Sequence, residues 1–205
     1  MRPIATAVSL LALIAAAPAL AQAPAPAGPP PAVAPGVQVN QQDRDFVAKA
    51  ARAGRAEIEM GRLAMRTATD PAVREFGRWM VTDHTAVNEA LERLGGRLGI
   101  TPPGGIAAED QAALQQLERL SGRAFDQRYV ALQLQDHRQA VALFQHEAEA
   151  GEQPVLKAVT EHSLPMLREH LAEAEELSRL PAIAAGPSTS GVGSSQPPAR
   201  LVPNR

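Results

Sequence analysis

Helical spacing of apolar residues dominates the chain between about residues 41 and 180. In four long stretches, apolar residues recur every three or four positions, which is the period of an amphipathic α-helix facing a core. These stretches predict long helices over about 42–68, 71–98, 123–150 and 154–180, with a short helix over about 109–120. The inward-facing stripes are, in chain order, Phe46, Ala50, Ala53, Met60 and Ala64; Val73, Phe76, Met80, Val87, Leu91 and Leu94; Val130, Leu134, Val141 and Phe144; and Leu156, Val159, Met166 and Leu177. Four such helices predict an all-α four-helix bundle.

Turn residues predict how the helices connect. Asp70 is placed to cap the second helix, with Pro71 at its first position. Gly151 ends the third long helix and Pro154 opens the fourth, so both of these connections are tight and join antiparallel neighbours. The link between the second and third long helices exceeds twenty residues and is long enough to run back along the bundle. One long crossover of this kind is the arrangement of ferritin-like bundles.

Each inward stripe contains one ionisable residue where an apolar one is expected. These residues are Glu57, His84, His137 and His170, one on each long helix. An ionisable group inside a bundle is costly unless it is paired, hydrogen-bonded or bound to a metal. At about 1.5 Å of rise per residue, the first two differ in height by about 3 Å and the last two by about 6 Å. The pattern predicts one metal site, formed by a carboxylate and three imidazoles near the middle of the bundle.

The donor set suits a single divalent ion of zinc, copper, iron or manganese. A diiron bundle would need a Glu three residues before His on two helices. Val81, Leu134 and Leu167 stand at those positions, so the sequence does not predict a dinuclear iron site. Because imidazole must be neutral to bind metal, affinity is expected to fall as pH drops through about 6.5.

A carboxylate precedes each of the three histidines, namely Asp83, Asp136 and Glu169. Neighbours on a helix point about 100° apart, so these acids flank the site, where they either orient the imidazoles or form surface ion pairs. His146 and His162 lie off the stripes and are interpreted as surface residues. A metal-free hydrogen-bonded Glu–His network inside the bundle remains the alternative to the metal site.

The N-terminal residues predict export, and the segments on either side of the bundle predict flexible flanks. Residues 1–21 combine Arg2, an apolar run over 4–17 and the small-residue motif Ala19-Leu20-Ala21, which together resemble a cleaved secretory signal. An uncleaved anchor helix is the alternative. The Pro/Ala-rich segment 22–40 reads as a linker, and 181–205 as a disordered Pro/Gly/Ser tail. The mature protein is expected to be soluble and periplasmic, with no span after cleavage.

Composition and the absence of known motifs exclude several classes of function. Lys and Arg total 20 against 22 Asp and Glu, so no overall positive field predicts nucleic-acid binding. The chain has no Cys, which excludes disulfides, thiolate metal sites and a cysteine nucleophile. No phosphate-binding glycine loop or nucleophile elbow occurs. The sequence therefore identifies no enzymatic reaction, and a second copy or another envelope protein both remain open as partners.

Several motifs together resemble a known family over about residues 43–180. The motifs are Asp45-Phe46, Glu57-Ile58-Glu59 with Gly61 and Ala64, Met80-Val81-x-Asp83-His84, Gly122-x-x-Phe125-Asp126-x-x-Tyr129, Asp136-His137, and Leu164-Pro165 followed by Glu169-His170-Leu171. The family is the exported bacterial one catalogued as domain of unknown function 4142, often labelled "predicted outer membrane protein". The resemblance implies a ferritin-like bundle and no assigned activity.

Two hypotheses of function follow. The first is a metal-binding bundle that serves metal handling or protection against oxidative or envelope stress. The second is a non-enzymatic structural or interaction module of the cell envelope, whose buried polar residues fix the register of the helices.

Overall fold

The computed structural model of the protein describes residues 38–184 as a bundle of helices without a strand in that range. The helices are α1 (Gln41–Thr67), α2 (Pro71–Leu98), α3 (Ala108–Leu117), α4 (Gly122–Ala150), α5 (Pro154–Arg179) and α6 (Pro181–Ala184). The all-α class and the four long helices are confirmed. The signal segment 1–21, the linker up to residue 37 and the tail from residue 185 lie outside the described residues.

At the start of two helices, a side chain accepts a hydrogen bond from a backbone N–H group that has no partner within the helix. Asp70 accepts from the backbone N–H of Ala72 at 2.8 Å, with Pro71 at the first helical position, as the sequence predicts. Asn40 caps α1 by accepting from the N–H of Asp43 at 2.8 Å. Ser121 occupies the position before α4 but makes no side-chain capping bond.

The crossover connection runs the length of the bundle. Asp126, near the start of α4, accepts from the backbone N–H groups of Thr69 and Asp70 at 3.0 Å each. The start of α4 therefore lies beside the α1–α2 turn, whereas α2 ends at the opposite end of the bundle. The long helices pack in the cyclic order α1, α2, α5, α4, and α3 packs across α1 and α4. This arrangement confirms the one-crossover topology.

Two glycines bring α1 and α2 into backbone contact. A Cβ atom on Gly61 would lie 2.7 Å from the carbonyl oxygen of Gly77, and one on Gly77 would lie 2.9 Å from the carbonyl oxygen of Gly61. Real Cβ atoms do not approach that closely, so the crossing depends on the missing side chains. The close crossing holds the middle of α2, which carries His84, firmly against α1.

A layer of buried polar side chains separates two apolar clusters. The cluster towards the α1–α2 turn includes Met60, Phe76, Met80, Phe125 and Tyr129. The cluster towards the α4–α5 turn includes Phe46, Leu91, Phe144, Leu156 and Leu167. Between them lie six polar side chains that are at most 6% exposed, namely Glu57, His84, Asn88, Gln133, His137 and His170. All four predicted ligand residues are thus buried at the middle of the bundle.

Two expectations about position are wrong. Ala53 is exposed and not part of the inward stripe of α1. The ordered bundle also extends past residue 180, because α6 adds one helical turn in which Ile183 is 7% exposed and packs in the first apolar cluster. The amide of Gln127 donates to the Ile183 carbonyl at 2.8 Å, which ties this turn to α4. Within the described range, no helix has the length and hydropathy needed to cross a membrane.

Candidate metal centre

Three histidines from three helices meet in the polar layer. His84 from α2, His137 from α4 and His170 from α5 each place one ring nitrogen within 4.8 Å of the other two. Their ring centroids lie 5.3–5.6 Å apart. The residues are 5%, 0% and 2% exposed, so the surrounding helices exclude bulk water from them. The structure therefore brings together three of the four residues that the sequence indicates.

Hydrogen bonds on the outer side of two rings determine which nitrogens face inward. Nδ1 of His137 lies 3.1 Å from the carbonyl oxygen of Gln133. A carbonyl oxygen only accepts, so Nδ1 carries the hydrogen and Nε2 keeps its lone pair. Nε2 of His170 lies 3.0 Å from Oδ2 of Asp83 and donates to it, which leaves the lone pair on Nδ1. The inward atoms, His137 Nε2 and His170 Nδ1, are 3.3 Å apart.

Those two inward nitrogens have no hydrogen to share while both rings are neutral. Each ring has already committed its single N–H to an outer acceptor, so their lone pairs face one another. His84 adds a further unmet requirement, since its Nε2 is buried and has no hydrogen-bond partner within residues 38–184. The cluster is therefore rich in lone pairs and poor in protons.

Burial keeps the three imidazoles neutral. It lowers the pKa of His137 to about 3, with nearby His170 adding to the effect and the Gln133 carbonyl opposing it. Burial, followed by the proximity of the other two histidines, lowers the pKa of His84 well below its usual value. Burial also lowers the pKa of His170, against the opposing hydrogen bond to Asp83. The rings are consequently in the metal-binding form throughout the physiological pH range.

Glu57 lies beside the histidine cluster. The amide of Gln133 donates to its Oε2 at 2.6 Å. Its Oε1 is 3.9 Å from Nδ1 of His137, the nitrogen on the outer side of that ring. Burial raises the pKa of Glu57 to about 8, and nearby Asp136 and Asp110 raise it further, while the Gln133 amide opposes them. At neutral pH Glu57 is thus a protonated acid behind His137, outside the group of converging nitrogens.

The three flanking acids have different surroundings. Asp83 reaches across from α2 to His170 on α5, and so contacts a histidine other than its own neighbour. Asp136 is half-buried, and burial followed by nearby Asp110 raises its pKa to about 6 against the opposing charge of Arg128. Glu169 is exposed.

The two remaining histidines, His146 and His162, are exposed, as the sequence analysis expects. They lie outside the converging group, which contains only His84, His137 and His170 among the described residues.

Sequence reasoning missed two residues that shape the site. Gln133 is fully buried and connects Glu57 to the His137 ring through its amide and its carbonyl. It lies four residues before His137, so helical spacing places both on one face of α4, which was a usable signal. Phe76 was assigned only to the core, yet its ring centroid lies 6.4 Å from that of His137 and 6.2 Å from that of His170. It closes the site on the side of the first apolar cluster.

Comparison with known proteins identifies the family and the fold. The model of the family described as "Domain of unknown function (DUF4142)" matches residues 28–177, so the chain belongs to that family, as its motifs indicate. The crystal structure of a DUF305 fragment from Deinococcus radiodurans is similar in fold, with a TM-score of 0.62 and 18% identity. That match covers 69% of this chain and 99% of the fragment. No curated protein matches the sequence.

Proposed function

Because membership of this family supplies no activity, we propose from the site itself that the bundle binds one divalent metal ion through His84, His137 and His170. The proposed role is metal handling, or protection against oxidative and envelope stress, in the periplasm, and we assign it no catalytic reaction. Glu57, the fourth residue of the sequence-based ligand set, is proposed to remain beside the ion as a buried acid.

One observation supports the proposal above all others, and it is the 3.3 Å separation of His137 Nε2 and His170 Nδ1. Zinc–nitrogen bonds are about 2.0–2.1 Å long, so two ligands at adjacent corners of a tetrahedron lie about 3.3–3.4 Å apart. Without a cation, two lone pairs at this distance repel one another. A bound ion would replace that repulsion with two coordinate bonds and give the unpartnered His84 nitrogen a third.

The donor set limits which metals fit. Neutral imidazole suits zinc, copper and iron, and manganese is the remaining candidate with the weakest preference for nitrogen. Three protein ligands leave one tetrahedral position open for water or another small ligand. Asp83, which accepts from His170, would hold that imidazole in the orientation that coordination needs.

Metal content is the direct test. Protein purified without a His-tag should contain, or take up, one divalent ion per chain by elemental analysis and isothermal titration. The variants His84→Ala and His137→Ala should lose this ion, because each removes a converging nitrogen. The matched control is His146→Ala, which changes an exposed histidine on α4 and should bind as the wild type does.

The metal proposal is wrong if no ion binds, or if His146→Ala weakens binding as much as His84→Ala. In that case the alternative hypothesis applies, in which the cluster is a metal-free hydrogen-bonded network in a structural or interaction module of the envelope.

Export is part of the proposal and has its own test. The leader-like pattern of residues 1–21 supports it. Mass spectrometry of the mature protein should find Gln22 at the N-terminus. A chain that retains Met1 and fractionates with membranes would contradict cleavage and a periplasmic location.

A further inference from the structure

A cavity of about 440 Å³ lies beside the histidine cluster. Its lining comes from α1, α2 and α4, from the start of the crossover helix α3 and the residue before it, and from Leu167 of α5. His84 and Glu57 line it, whereas His137 and His170 do not belong to its lining. Of the three converging imidazoles, His84 is thus the one in contact with this space.

His84 is also the histidine with an unmet bonding requirement. It is 5% exposed, and its Nε2 has no hydrogen-bond partner in the described part of the chain. An unpartnered buried nitrogen on the wall of a cavity requires a ligand from that cavity or a water molecule. In the neutral tautomer that has its hydrogen on Nδ1, Nε2 carries a lone pair, and its missing ligand is then an electron-pair acceptor or a hydrogen donor.

Carboxyl groups from three elements line the same cavity. Glu57 comes from α1, Asp110 from α3 and Asp136 from α4, and exposed Glu109 lies next to Asp110. The three groups interact, since Asp110 helps to raise the pKa of both Glu57 and Asp136. Together with Glu109, they form a series from exposed (Glu109) through half-buried (Asp110 and Asp136) to buried (Glu57).

Positive groups on the cavity wall do not reverse this arrangement. Lys49 and Arg52 also line the cavity, and both are exposed residues on α1. The half-buried carboxyl groups of Asp110 and Asp136 are shielded less by water than these exposed side chains are. The inner part of the cavity therefore favours cations.

We propose that this cavity is the entrance through which a hydrated divalent cation reaches the three histidines, and that Asp110 and Asp136 are its first protein contacts. The inference rests on the proposed function. Carboxylate oxygens bind hydrated divalent ions readily, and a cleft lined with one sign of charge raises the local concentration of the opposite ion. The ion then exchanges water for the nitrogen of His84. This gives the crossover helix a role, because α3 supplies Asp110.

The rate of metal uptake tests this route. Co²⁺ is mixed with untagged, metal-free protein, and the visible absorption of nitrogen-bound cobalt is followed by stopped flow. Asp110→Asn should lower the association rate several-fold, and Asp110→Asn combined with Asp136→Asn should lower it about tenfold at low ionic strength. For Asp110→Asn, the dissociation rate should fall in parallel, so that the dissociation constant changes less than either rate. In 1 M salt, where the screening length is about 3 Å, the variants should approach the wild type.

The matched control is Glu118→Gln, which removes the same charge from an exposed residue directly after α3, away from the cavity lining. Its association rate should equal that of the wild type, and Asp110→Glu should retain most of the wild-type rate. If the wild type binds Co²⁺ but Asp110→Asn and Glu118→Gln take it up equally fast, the entrance lies elsewhere and only this inference is overturned. If the wild type shows no cobalt spectrum, the metal site itself is overturned and the entrance with it.

Discussion

The histidine cluster at the middle of the bundle and a carboxyl pair at its end are both buried, and both contain polar atoms without a hydrogen-bond partner among the described residues. They differ in the partner that would complete their bonding. The carboxyl pair consists of Asp43 in the first turn of α1 and Glu147 near the end of α4, which are 0% and 1% exposed. Oδ1 of Asp43 accepts from the backbone N–H groups of Glu152 and Gln153 at 3.1 and 3.4 Å. The pair thereby ties the start of α1 to the α4–α5 turn.

A proton satisfies the carboxyl pair. Asp43 Oδ2 and both carboxyl oxygens of Glu147 are buried without a hydrogen-bond partner in the range 38–184. Burial raises the pKa of Glu147 to about 7; the neighbouring Asp43 carboxyl group adds to this, while Gln42 and Lys157 oppose it. Near neutral pH Glu147 is therefore partly protonated, and a proton on its carboxyl group can form a hydrogen bond to Asp43.

The histidine cluster cannot be satisfied in this way. Burial lowers the pKa of each imidazole, and neighbouring rings lower the pKa of His84 and His137 further, so protons are excluded at neutral pH. A metal ion delivers positive charge and accepts several lone pairs at once, which a single proton does not. We therefore expect a metal ion to complete the bonding of the middle of the bundle and a proton to complete that of its end.

The largest expected effect is stabilisation by metal. Zinc at 100 to 1,000 times its dissociation constant should raise the free energy of unfolding by about 3–4 kcal/mol, because it binds only the folded state. The pKa of His137 is about 3 in the folded protein, so proton competition there begins well below pH 6.5. The rise in Tm should therefore persist at pH 5, contrary to the expectation from unperturbed histidines. Calorimetry with and without zinc at pH 7 and pH 5 measures it.

Variants separate this stabilisation from non-specific binding. His84→Ala and His137→Ala should lose the zinc-dependent rise in Tm, whereas His146→Ala should keep it. If the zinc-dependent rise in the Tm of the wild type disappears between pH 7 and pH 5, the imidazoles titrate as free ones do. Burial would then not lower their pKa values.

The next largest effect concerns the carboxyl pair. Asp43→Ala removes the acceptor for two backbone N–H groups and should lower the free energy of unfolding by about 1–3 kcal/mol. Asp43→Asn keeps one acceptor oxygen and should cost less. Urea unfolding with and without zinc measures both effects, and the zinc-dependent increment should equal that of the wild type. A smaller increment in Asp43→Ala would show that the two regions are coupled.

A smaller effect is expected from the residue that orients His170. Asp83→Asn weakens the acceptor for its outer N–H and should lower zinc affinity about 10- to 100-fold. Glu169→Gln is the matched control, since Glu169 is exposed and adjacent to the same histidine in sequence. Competition with a zinc-binding dye gives both affinities. Equal losses in the two variants would indicate an effect of net charge and not of the hydrogen bond.

The sequence predicted the fold closely because the spacing of apolar residues, the helix caps and the lengths of the connections all depend on residues that are close together in the chain. Asp70, Pro71 and Gly151 set helix ends, and the crossover length set the topology. The same periodicity predicted that Glu57 and the three histidines point inward near the middle of the bundle.

The sequence did not predict how the side chains of the site are turned. Spacing assigns a residue to a face and a height, but the ring nitrogen that points inward depends on hydrogen bonds to Gln133 and Asp83. The position of Glu57 behind His137 depends on the same side chain of Gln133, from another helix. The contact between Asp43 and the α4–α5 turn joins residues more than a hundred positions apart, which no local pattern reveals.

The smallest effect, and the one that compares the two regions most directly, is the pH dependence of stability without metal. The folded pKa of Glu147 lies above its ordinary value of 4.5, so its contribution is fully present below about pH 4.5 and is lost as pH rises through about 7. The histidines have folded pKa values below 6.5, so their contribution is present above that pH and is lost as pH falls. Stability should therefore decline on both sides of neutrality, for reasons located in different parts of the bundle.

Two isosteric variants assign the alkaline decline. Glu147→Gln cannot ionise and should remove the loss of stability that accumulates as pH rises from about 4.5 to about 7, while Glu57→Gln should remove the loss that continues up to about pH 8, where Glu57 titrates in the folded state. The acid decline comes from protonation of histidines in the unfolded chain, and it should become steeper in both variants, because each carboxyl group offsets part of it between about pH 4.5 and its folded pKa. Urea unfolding of metal-free protein at intervals between pH 5 and pH 9 measures the slopes. Suppose that Glu147→Gln instead shows the full wild-type loss of unfolding free energy as pH rises. Glu147 would then bind no extra proton in the folded state, and the proposed difference between the carboxyl pair and the histidine cluster would be wrong.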